Sequence, residues 1–338
     1  MSAPAADGLT MPPEWAPHER TLMAWPCRRE LWGGQLAAAK AESAGVANAV
    51  AEFEPVTMVA GSPEDAAEAR EVLSSNVELL ELPIDDSWLR DSGPVFVVDD
   101  AEHATRRAGV HFRFNAWGEK FAPWDRDAAV GGLLAKSLGD HVYEAPLVLE
   151  GGSILVDGTG LLLTTEQCLL HPNRNPSLSR EDIERQLRDF LGVDRIVWLA
   201  QGLVEDRDTD GHVDLIASFT APGRVLLQSQ PPGTPNHEAM ARNHEIAQAA
   251  GLEVIDFPVL AYVAVDGEPA VHSYLNVYVG DRYVVVPLAG QPGPDEEALA
   301  RIGEAFADKD VIGVPGVVHA FGGGGPHCIT QQVPAIAG

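Results

Sequence analysis

The chain has 338 residues, of which 45% are hydrophobic and 22% are charged, a composition typical of a globular protein with a large core. Its 50 acidic and 23 basic side chains give a net charge of −27 at pH 7. Such a charge repels phosphate backbones and anionic lipids, which argues against nucleic-acid and membrane-surface binding and favours a cationic small-molecule partner. Acidity that serves solubility alone is equally compatible with these numbers.

The cysteines and histidines give no sign of a disulfide framework or a metal centre. Cys27, Cys168 and Cys328 are too few and too scattered for either, and the histidines lack ligand spacing. We therefore expect no metal and no other cofactor. No basic segment followed by an apolar one opens the chain, and no apolar run is long enough for a membrane span. We expect a cytoplasmic protein, and the sequence leaves open whether it forms a homo-oligomer.

A repeated pattern of helices and strands runs along the chain. The helix-like segments mostly open with Ser, Thr, Asp or an early Pro followed by acids, which is N-cap and first-turn chemistry. These segments are 62–75, 124–139, 179–192, 234–251 and 294–308. Each precedes a short apolar run typical of a β-strand, and these runs are 77–83, 141–147, 195–200, 252–258 and 310–316.

Further β-rich segments lie between each of these strands and the next helix. Three of them carry a tight-turn dipeptide between two apolar runs, which predicts hairpins in "GSILVDGTGLLLTT", "HVDLIASFTAPGRVLLQSQ" and "SYLNVYVGDRYVVVPLA". The repeating unit is therefore strand, strand, helix, strand, and it occurs five times. This pattern predicts a fivefold pseudo-symmetric α/β propeller. No stretch is typical of a linker, so we expect a single domain over residues 1–338.

Residues suited to chemistry fall at matching positions of the repeat, shortly after the strand that follows each unit's helix. In chain order they are Asp91, Glu150, His212 with Asp214, His272 and Cys328. Equivalent positions in a ring of five units surround one axis. We therefore expect these side chains to converge at one end of that axis.

Cys328 follows four consecutive glycines, 322–325, in the segment "GGGGPHCITQQ". A buried structural thiol and a reactive nucleophile are both compatible with a cysteine at this position. Glycine permits close approaches that other residues forbid, which favours a ligand-binding loop. His327 points away from the thiol if the segment is extended, so we do not expect it to be the base. Cys27 and Cys168 lie in apolar stretches, and we interpret both as packing residues.

The histidine and the carboxylates each have a structural alternative. His212 and Asp214 stand at the start of a predicted strand, where alternation places both on one face. The pair is compatible with a general base, a metal ligand or a buried core pair, and a metal ligand is the weakest of these. Asp91 is equally suited to capping a turn. Glu150 ends an apolar strand, where a carboxylate requires a partner.

Together these groups suit one reaction on a planar cation. Two carboxylates each accept a pair of N–H donors from a guanidinium, and a cysteine thiolate can attack its central carbon. A histidine such as His212 can protonate departing ammonia and then deprotonate water, while Glu150 hydrogen-bonded to it keeps it cationic. The set predicts hydrolysis of a guanidine to a urea through a covalent thiouronium intermediate.

The sequence resembles the agmatine deiminase and bacterial-type peptidylarginine deiminase family, within the guanidine-modifying pentein superfamily. The matching segments run nearly end to end and include "MPPEWAPHERTLMAWP", "DDSWLRDSGPVFVV", "FNAWGEKFAPWDRD", "LEGGSILVDGTGLLLTTEQCLL", "NRNPSLSREDIE", "WLAQGLVEDRDTDGHVD" and "GGGGPHCITQQVP". The family's fold is a fivefold α/β propeller, which agrees with the repeat.

The resemblance implies a role for each candidate residue. It implies Cys328 as the nucleophile, His212 as the acid and base, and Glu150 as the partner of His212. Asp91 and Asp214 would clamp the guanidinium.

The resemblance also implies contacts along the rest of the substrate. Trp88 would line the channel, and an acid in the loop before the histidine, Asp208, would meet the substrate's far amine. The implied reaction is the deimination of agmatine to N-carbamoylputrescine and ammonia. The sequence departs from the agmatine-type pattern at Asp210, Leu215, His272 and Pro326, and these departures could alter the pocket that reads the substrate's tail.

Other activities remain open at this stage. The same chemistry could act on free arginine, a peptidyl arginine or a modified alkylguanidine. An amidinotransferase would share the covalent step and pass the amidine to an amine. A catalytically inactive propeller acting as a scaffold is a further alternative, but it has no need of the intact set of thiol, imidazole and carboxylates.

Overall fold

A computed structural model describes residues 3–337 of the chain. Its strands, numbered in chain order, are β1 His18–Ala24, β2 Val56–Ala60, β3 Val77–Glu81, β4 Val95–Val98, β5 Arg107–Arg113, β6 His141–Val148, β7 Ile154–Val156, β8 Leu161–Thr165, β9 Arg195–Leu199, β10 Ala217–Ala221, β11 Arg224–Gln228, β12 Glu253–Phe257, β13 Ala261–Val265, β14 Glu268–His272, β15 Tyr278–Val279, β16 Tyr283–Leu288, β17 Asp310–Pro315 and β18 Thr330–Pro334.

The helices comprise one or more crossover helices in each unit and several single turns in the loops. They are α1 Arg29–Trp32, α2 Leu36–Val50, α3 Pro63–Val72, α4 Leu89–Ser92, α5 Ala116–Glu119, α6 Asp127–Ser137, α7 Glu166–Leu169, α8 Arg180–Leu191, α9 His237–Ala249, α10 Pro292–Ala305 and α11 Val317–Phe321. Short 3₁₀ turns cover Pro4–Asp7, Gly33–Gln35, Gly151–Ser153 and Val213–Leu215.

Five sheets share one three-stranded motif. In β4-β5-β6, β7-β8-β9, β10-β11-β12 and β15-β16-β17, the first two strands are antiparallel and the third is parallel to the second. A helix makes each parallel crossover, because parallel neighbours cannot be joined by a tight turn. The fifth sheet, β18-β1-β2-β3, repeats the motif with one further parallel strand. The predicted α/β propeller of five units is confirmed.

The five predicted helices appear as α3, α6, α8, α9 and α10, and each is followed by its predicted strand. Local capping explains two of their starts. The Ser62 side chain accepts the Asp65 N–H, and Ser179 forms a reciprocal capping box with Asp182. Helix α8 then stops at Gly192, whose φ of 66° is left-handed.

The last strand differs from the expectation. The register of the repeat predicts that the segment after Cys328 belongs to the fifth unit, but β18 pairs antiparallel with β1, from Met23 opposite Thr330 to His18 opposite Pro334. The C-terminal strand therefore completes the first sheet, and the two ends of the chain are joined by hydrogen bonds. Several elements were not predicted, among them helix α2, strands β1 and β2, and the hairpin β13-β14.

The sheets place one loop from each unit at an equivalent position. Asp91, Glu150, Asp214 and Cys328 each lie two to four residues before the first strand of a sheet, β4, β7, β10 and β18 respectively. In the remaining sheet, β15-β16-β17, the residue at the equivalent position before the first strand is Asn276. Within residues 3–337, no helix is long and apolar enough to cross a membrane.

Candidate active site

A cleft of about 380 Å³ lies where these loops meet. Trp88, Trp117 and Phe121 provide aromatic walls, and Asp91, Asp208 and Cys328 line the same cleft. Trp88 is held by stacking on Trp32, with ring centroids 5.5 Å apart. The mixed apolar and acidic lining suits a small cationic ligand with an aliphatic chain.

Asp91 is fixed by two donors. It lies in the single-turn helix α4, and its Oδ1 accepts the Gly152 N–H at 2.8 Å while its Oδ2 accepts Nε1–H of Trp117 at 2.8 Å. Gly152 has to be a glycine, because a Cβ there would lie 2.7 Å from Nδ1 of His212 and 2.9 Å from Asp91. Burial raises the pKa of Asp91, while nearby His212 opposes the rise.

His212 is fully buried and surrounded by carboxylates. Its Nδ1 lies 3.9 Å from Oδ2 of Asp91 and 4.0 Å from Oδ1 of Asp214, and its Nε2 lies 3.8 Å from Oε2 of Glu150. Burial would lower the pKa of His212, but Asp91, followed by Cys168 and Glu150, raises that pKa well above its ordinary value. The imidazole is therefore poised to carry a proton.

Two expectations about this part of the site were wrong in detail. His212 and Asp214 do not lie on a strand, because Val213–Leu215 is a 3₁₀ turn and β10 begins later. The direct hydrogen-bond partner of Glu150 is Arg174, whose Nε donates to Oε1 at 2.6 Å. Burial would raise the pKa of Glu150, but Arg174 and then His212 hold that pKa below its usual value.

Asp214 keeps one oxygen free. Its Oδ2 accepts from Nδ1 of His327 at 2.8 Å and from the Cys328 thiol at 3.4 Å, while Oδ1 has no hydrogen-bond partner among the described residues. His327 was expected to point elsewhere, but residues 326–329 form turns rather than an extended strand. Its Nε2 lies 3.3 Å from Oε2 of Glu14, so His327 joins two carboxylates behind the site.

Cys328 is buried next to an amide that the sequence did not reveal. Nδ2 of Asn276 donates to Sγ at 3.1 Å, and the backbone N–H of Cys328 donates to Oδ1 of Asn276 at 3.3 Å. Burial, followed by Asp214 and Asp91, raises the pKa of the thiol well above its ordinary value. These surroundings oppose ionisation of the thiol.

The glycine run allows the loop to pack this closely. A Cβ on Gly324 would lie 2.8 Å from Sγ of Cys328 and 2.6 Å from the Trp88 ring, and one on Gly325 would lie 2.8 Å from Oδ1 of Asn276. Gly323 has a φ of 95°, which L-residues rarely adopt. The close approaches predicted for this run are present.

Asp208 lies on a loop that is tied to the catalytic end of the site. Nζ of Lys120 donates to the carbonyls of Arg207 and Asp208 and pairs with Oδ1 of Asp210 at 2.8 Å. Nη1 of Arg174 donates to Oδ2 of the same Asp210 at 2.8 Å. Burial, then the neighbouring Asp206, raises the pKa of Asp208. Asp210, where a departure from the family pattern was noted, thus links the loop to Arg174.

The structure brings together Cys328, His212, Asp91, Asp214 and Glu150, and it places Trp88 and Asp208 in the adjoining cleft. His272 does not join them. Its ring nitrogens have no hydrogen-bond partner among the described residues, and it packs edge-on against Tyr274.

Sequence reasoning missed Trp117, Arg174 and Asn276. Each lies in or beside a quoted segment, "FNAWGEK", "NRNP" or "HSYLNVYV", yet none stands at a recognisable motif spacing. Cys168, taken as a packing residue, is buried as expected, but its thiol also lies beside Glu150 and His212. Cys27 is half-buried, and its Sγ donates to the carbonyl of Asp85 at 3.4 Å.

The chain is similar to known deiminases over nearly its whole length. The agmatine deiminase of Stutzerimonas stutzeri is 41% identical over 364 residues, covering 99% of this chain and 98% of that protein. The structure of Enterococcus faecalis agmatine deiminase superposes with a TM-score of 0.93 at 33% identity, covering 100% and 99% of the two chains. A C. jejuni agmatine deiminase, a cysteine-to-serine variant with substrate bound, gives a TM-score of 0.89 at 26% identity over 97% and 96%. The family model of Porphyromonas-type peptidyl-arginine deiminases matches residues 10–334, and the chain belongs to this family.

Proposed function

We propose that this protein hydrolyses the guanidinium group of agmatine to N-carbamoylputrescine and ammonia. The observation that carries the proposal is one buried cluster in which Cys328 and His212 both lie beside the clamp carboxylate Asp214, at the end of an acidic, aromatic cleft. The family and the agmatine deiminases that resemble the chain support the same reaction.

The charges of the cleft favour agmatine over arginine. Agmatine has a cationic amine where arginine carries a carboxylate, and Asp208 offers that amine a negative partner. Among the cleft-lining residues that the structure describes, the cationic side chain is Arg28. Its Nη2 donates to the carbonyl of Pro123 at 2.6 Å, and its guanidinium lies 4.0 Å from the carboxylates of Asp86 and Asp127. Arg28 therefore already has two buried acidic neighbours and a carbonyl acceptor within the protein, which leaves it less available to a substrate carboxylate.

Asp91 and Asp214 would hold the guanidinium between them. Each is kept in one orientation, Asp91 by Trp117 and Gly152, and Asp214 by His327. The free Oδ1 of Asp214 can accept an N–H of the substrate, and each oxygen of Asp91 retains a second lone pair. Fixed acceptors of this kind orient a planar cation by paired hydrogen bonds.

The bound cation would also activate the nucleophile. In the empty site the anionic neighbours Asp214 and Asp91 oppose loss of the Cys328 proton. A guanidinium between those carboxylates cancels their charge, which lowers the pKa of the thiol. Ionisation of Cys328 would therefore depend on substrate binding.

The reaction would proceed in two halves. The Cys328 thiolate attacks the guanidinium carbon and forms a C–S bond, His212 gives a proton to one nitrogen, and the C–N bond breaks to release ammonia. Water then adds to the thiouronium carbon while His212 takes a proton from it. Collapse of this intermediate breaks the C–S bond, leaving the urea product and the thiolate. Glu150, held by Arg174, would stabilise the charged imidazole throughout.

The remaining parts of the proposal concern the protein as a whole. We propose that residues 1–338 act as one domain, which is supported by the pairing of β18 with β1. The three free cysteines support a reducing, cytoplasmic setting. The proposed partner is a small cationic guanidine, and a homo-oligomer remains compatible with this function.

A panel of guanidines tests the proposal. We expect release of ammonia and a ureido product from agmatine, with free arginine and peptidyl arginine turned over far more slowly. The Cys328→Ala variant serves as the control for contaminating activity. Turnover of arginine in preference to agmatine would contradict the proposed substrate, and turnover of no guanidine by folded protein would contradict the reaction.

A further inference from the structure

Three donor atoms converge behind the proposed catalytic histidine. Glu150, Cys168 and His212 each offer one ligand atom within 4.8 Å of the other two, Nε2 of His212 lies 3.8 Å from Oε2 of Glu150, and the three side chains are fully buried. Two of these atoms, Oε2 and Nε2, have no hydrogen-bond partner among the described residues. Buried polar atoms without partners are costly, so their convergence indicates a polar site that a ligand could complete.

The donor set matches the preferences of zinc. A thiolate sulfur, an imidazole nitrogen and a carboxylate oxygen are the ligands found in zinc sites, and sites with three protein ligands leave a fourth position open. Two such nitrogen and oxygen ligands of one tetrahedral zinc lie about 3.4 Å apart. Nε2 of His212 and Oε2 of Glu150 are 3.8 Å apart, so this pair requires only a small inward movement.

The surrounding groups orient these donors as outer partners do in metal sites. Arg174 occupies Oε1 of Glu150 and leaves Oε2 free for a ligand bond. Asp91 and Asp214 face Nδ1 of His212 at 3.9 and 4.0 Å and keep a proton on Nδ1, while Nε2 faces Glu150, so a dication bound there would displace the Nε2 proton. The carboxylates also outnumber the single guanidinium, so the pocket offers net negative charge to a dication.

We propose that Glu150, Cys168 and His212 form a binding site for a zinc-class divalent cation, and that its occupation inhibits the enzyme. The metal would bind Nε2 of His212 and the Glu150 carboxylate, so the imidazole could no longer carry two protons and the cationic acid form would be lost. The inhibition rests on the acid and base role proposed for His212, whereas the binding itself does not. Full burial of the ligands means that the metal enters through local opening, so equilibration is expected to be slow.

Equilibrium dialysis against Zn²⁺, without substrate, measures the binding directly. The purified full chain is first stripped with chelator, and wild type, Cys328→Ser and Cys27→Ala are compared with Cys168→Ala and Cys168→Ser. We expect one zinc per chain in the first three and at least about tenfold weaker binding in the two Cys168 variants, because a ligand is lost. With Co²⁺, a thiolate charge-transfer band should appear in Cys328→Ser and be missing from Cys168→Ser.

The outcomes separate the possible sites. Loss of zinc binding in Cys328→Ser would place the metal on the nucleophile and overturn the proposal. Wild-type zinc affinity in both Cys168 variants would also overturn it, and so would the absence of zinc binding to the wild-type protein. Circular dichroism of each variant identifies misfolding. If Cys168→Ala does not fold, the nearly isosteric Cys168→Ser variant still tests the loss of the thiolate ligand. If zinc binds but no guanidine is turned over, the proposed function fails while the metal site stands.

Discussion

Replacing Gly324 by alanine probes how closely the nucleophile loop is packed. The added Cβ would lie 2.8 Å from Sγ of Cys328, whereas ordinary contact begins at 3.4 Å, so the thiol must move by about 0.6 Å. The Trp88 ring, 2.6 Å from the same Cβ, blocks relief on the other side. A displacement of this size at a reacting atom lowers kcat by about 10- to 100-fold.

The measurement is ammonia release from agmatine, together with the urea midpoint of unfolding. We expect the free energy of unfolding to fall by about 1–3 kcal/mol, the usual cost of one extra methyl group in a packed region. Gly45→Ala is the matched control, because its Cβ would meet nothing within 4 Å on helix α2. A folded Gly324→Ala protein with kcat within twofold of wild type would refute the steric reasoning.

Three further substitutions test two contacts and one buried histidine that the sequence did not reveal. Trp117→Phe removes the donor to Asp91 and should lower kcat/KM about 10- to 100-fold, since a hydrogen bond to a charged group contributes about 1.5–3 kcal/mol; unchanged kinetics would exclude this role. Asn276→Ala removes the donor to Sγ of Cys328 and should lower kcat more than it raises KM, and the reverse pattern would contradict the contact. Burial lowers the pKa of His319 to about 4, below its ordinary 6.5, so the folded state resists protonation and stability falls as pH drops from 6.5 towards 4. Between pH 7.5 and 5 the unfolding free energy of wild type should fall, and that of His319→Gln should fall by about 2 kcal/mol less. An identical fall in the two proteins would refute this role of burial.

The repeating architecture could be predicted because local signals agree with the global fold. Ser179 with Asp182 marks the start of a helix, and the Asp157-Gly158 turn marks a hairpin between β7 and β8. Helix α2 escaped detection because it lacks such signals. Its N-cap residue Gln35 makes no side-chain cap, and no glycine ends it.

From the sequence, only those site residues that occupy equivalent positions of the repeating unit could be predicted. That argument located Asp91, Glu150, Asp214 and Cys328, but in the fourth unit it selected His272 instead of Asn276, because the inserted hairpin β13-β14 shifts the register.

The outer contacts depend on long-range packing. Trp117 reaches Asp91 from a turn in which its own φ is 56°, and Arg174 reaches Glu150 across 24 residues of chain. No local pattern encodes such pairings.

Detection of a covalent intermediate on Cys328 tests the central claim most directly. Wild-type protein is acid-quenched during turnover of agmatine, digested, and analysed by mass spectrometry, with Cys328→Ser as the control. We predict an amidine adduct on the peptide that contains Cys328, absent from the control and lost once substrate is exhausted. Product formation with no adduct under rapid quenching, or an adduct on Cys27 or Cys168 instead, would contradict the account.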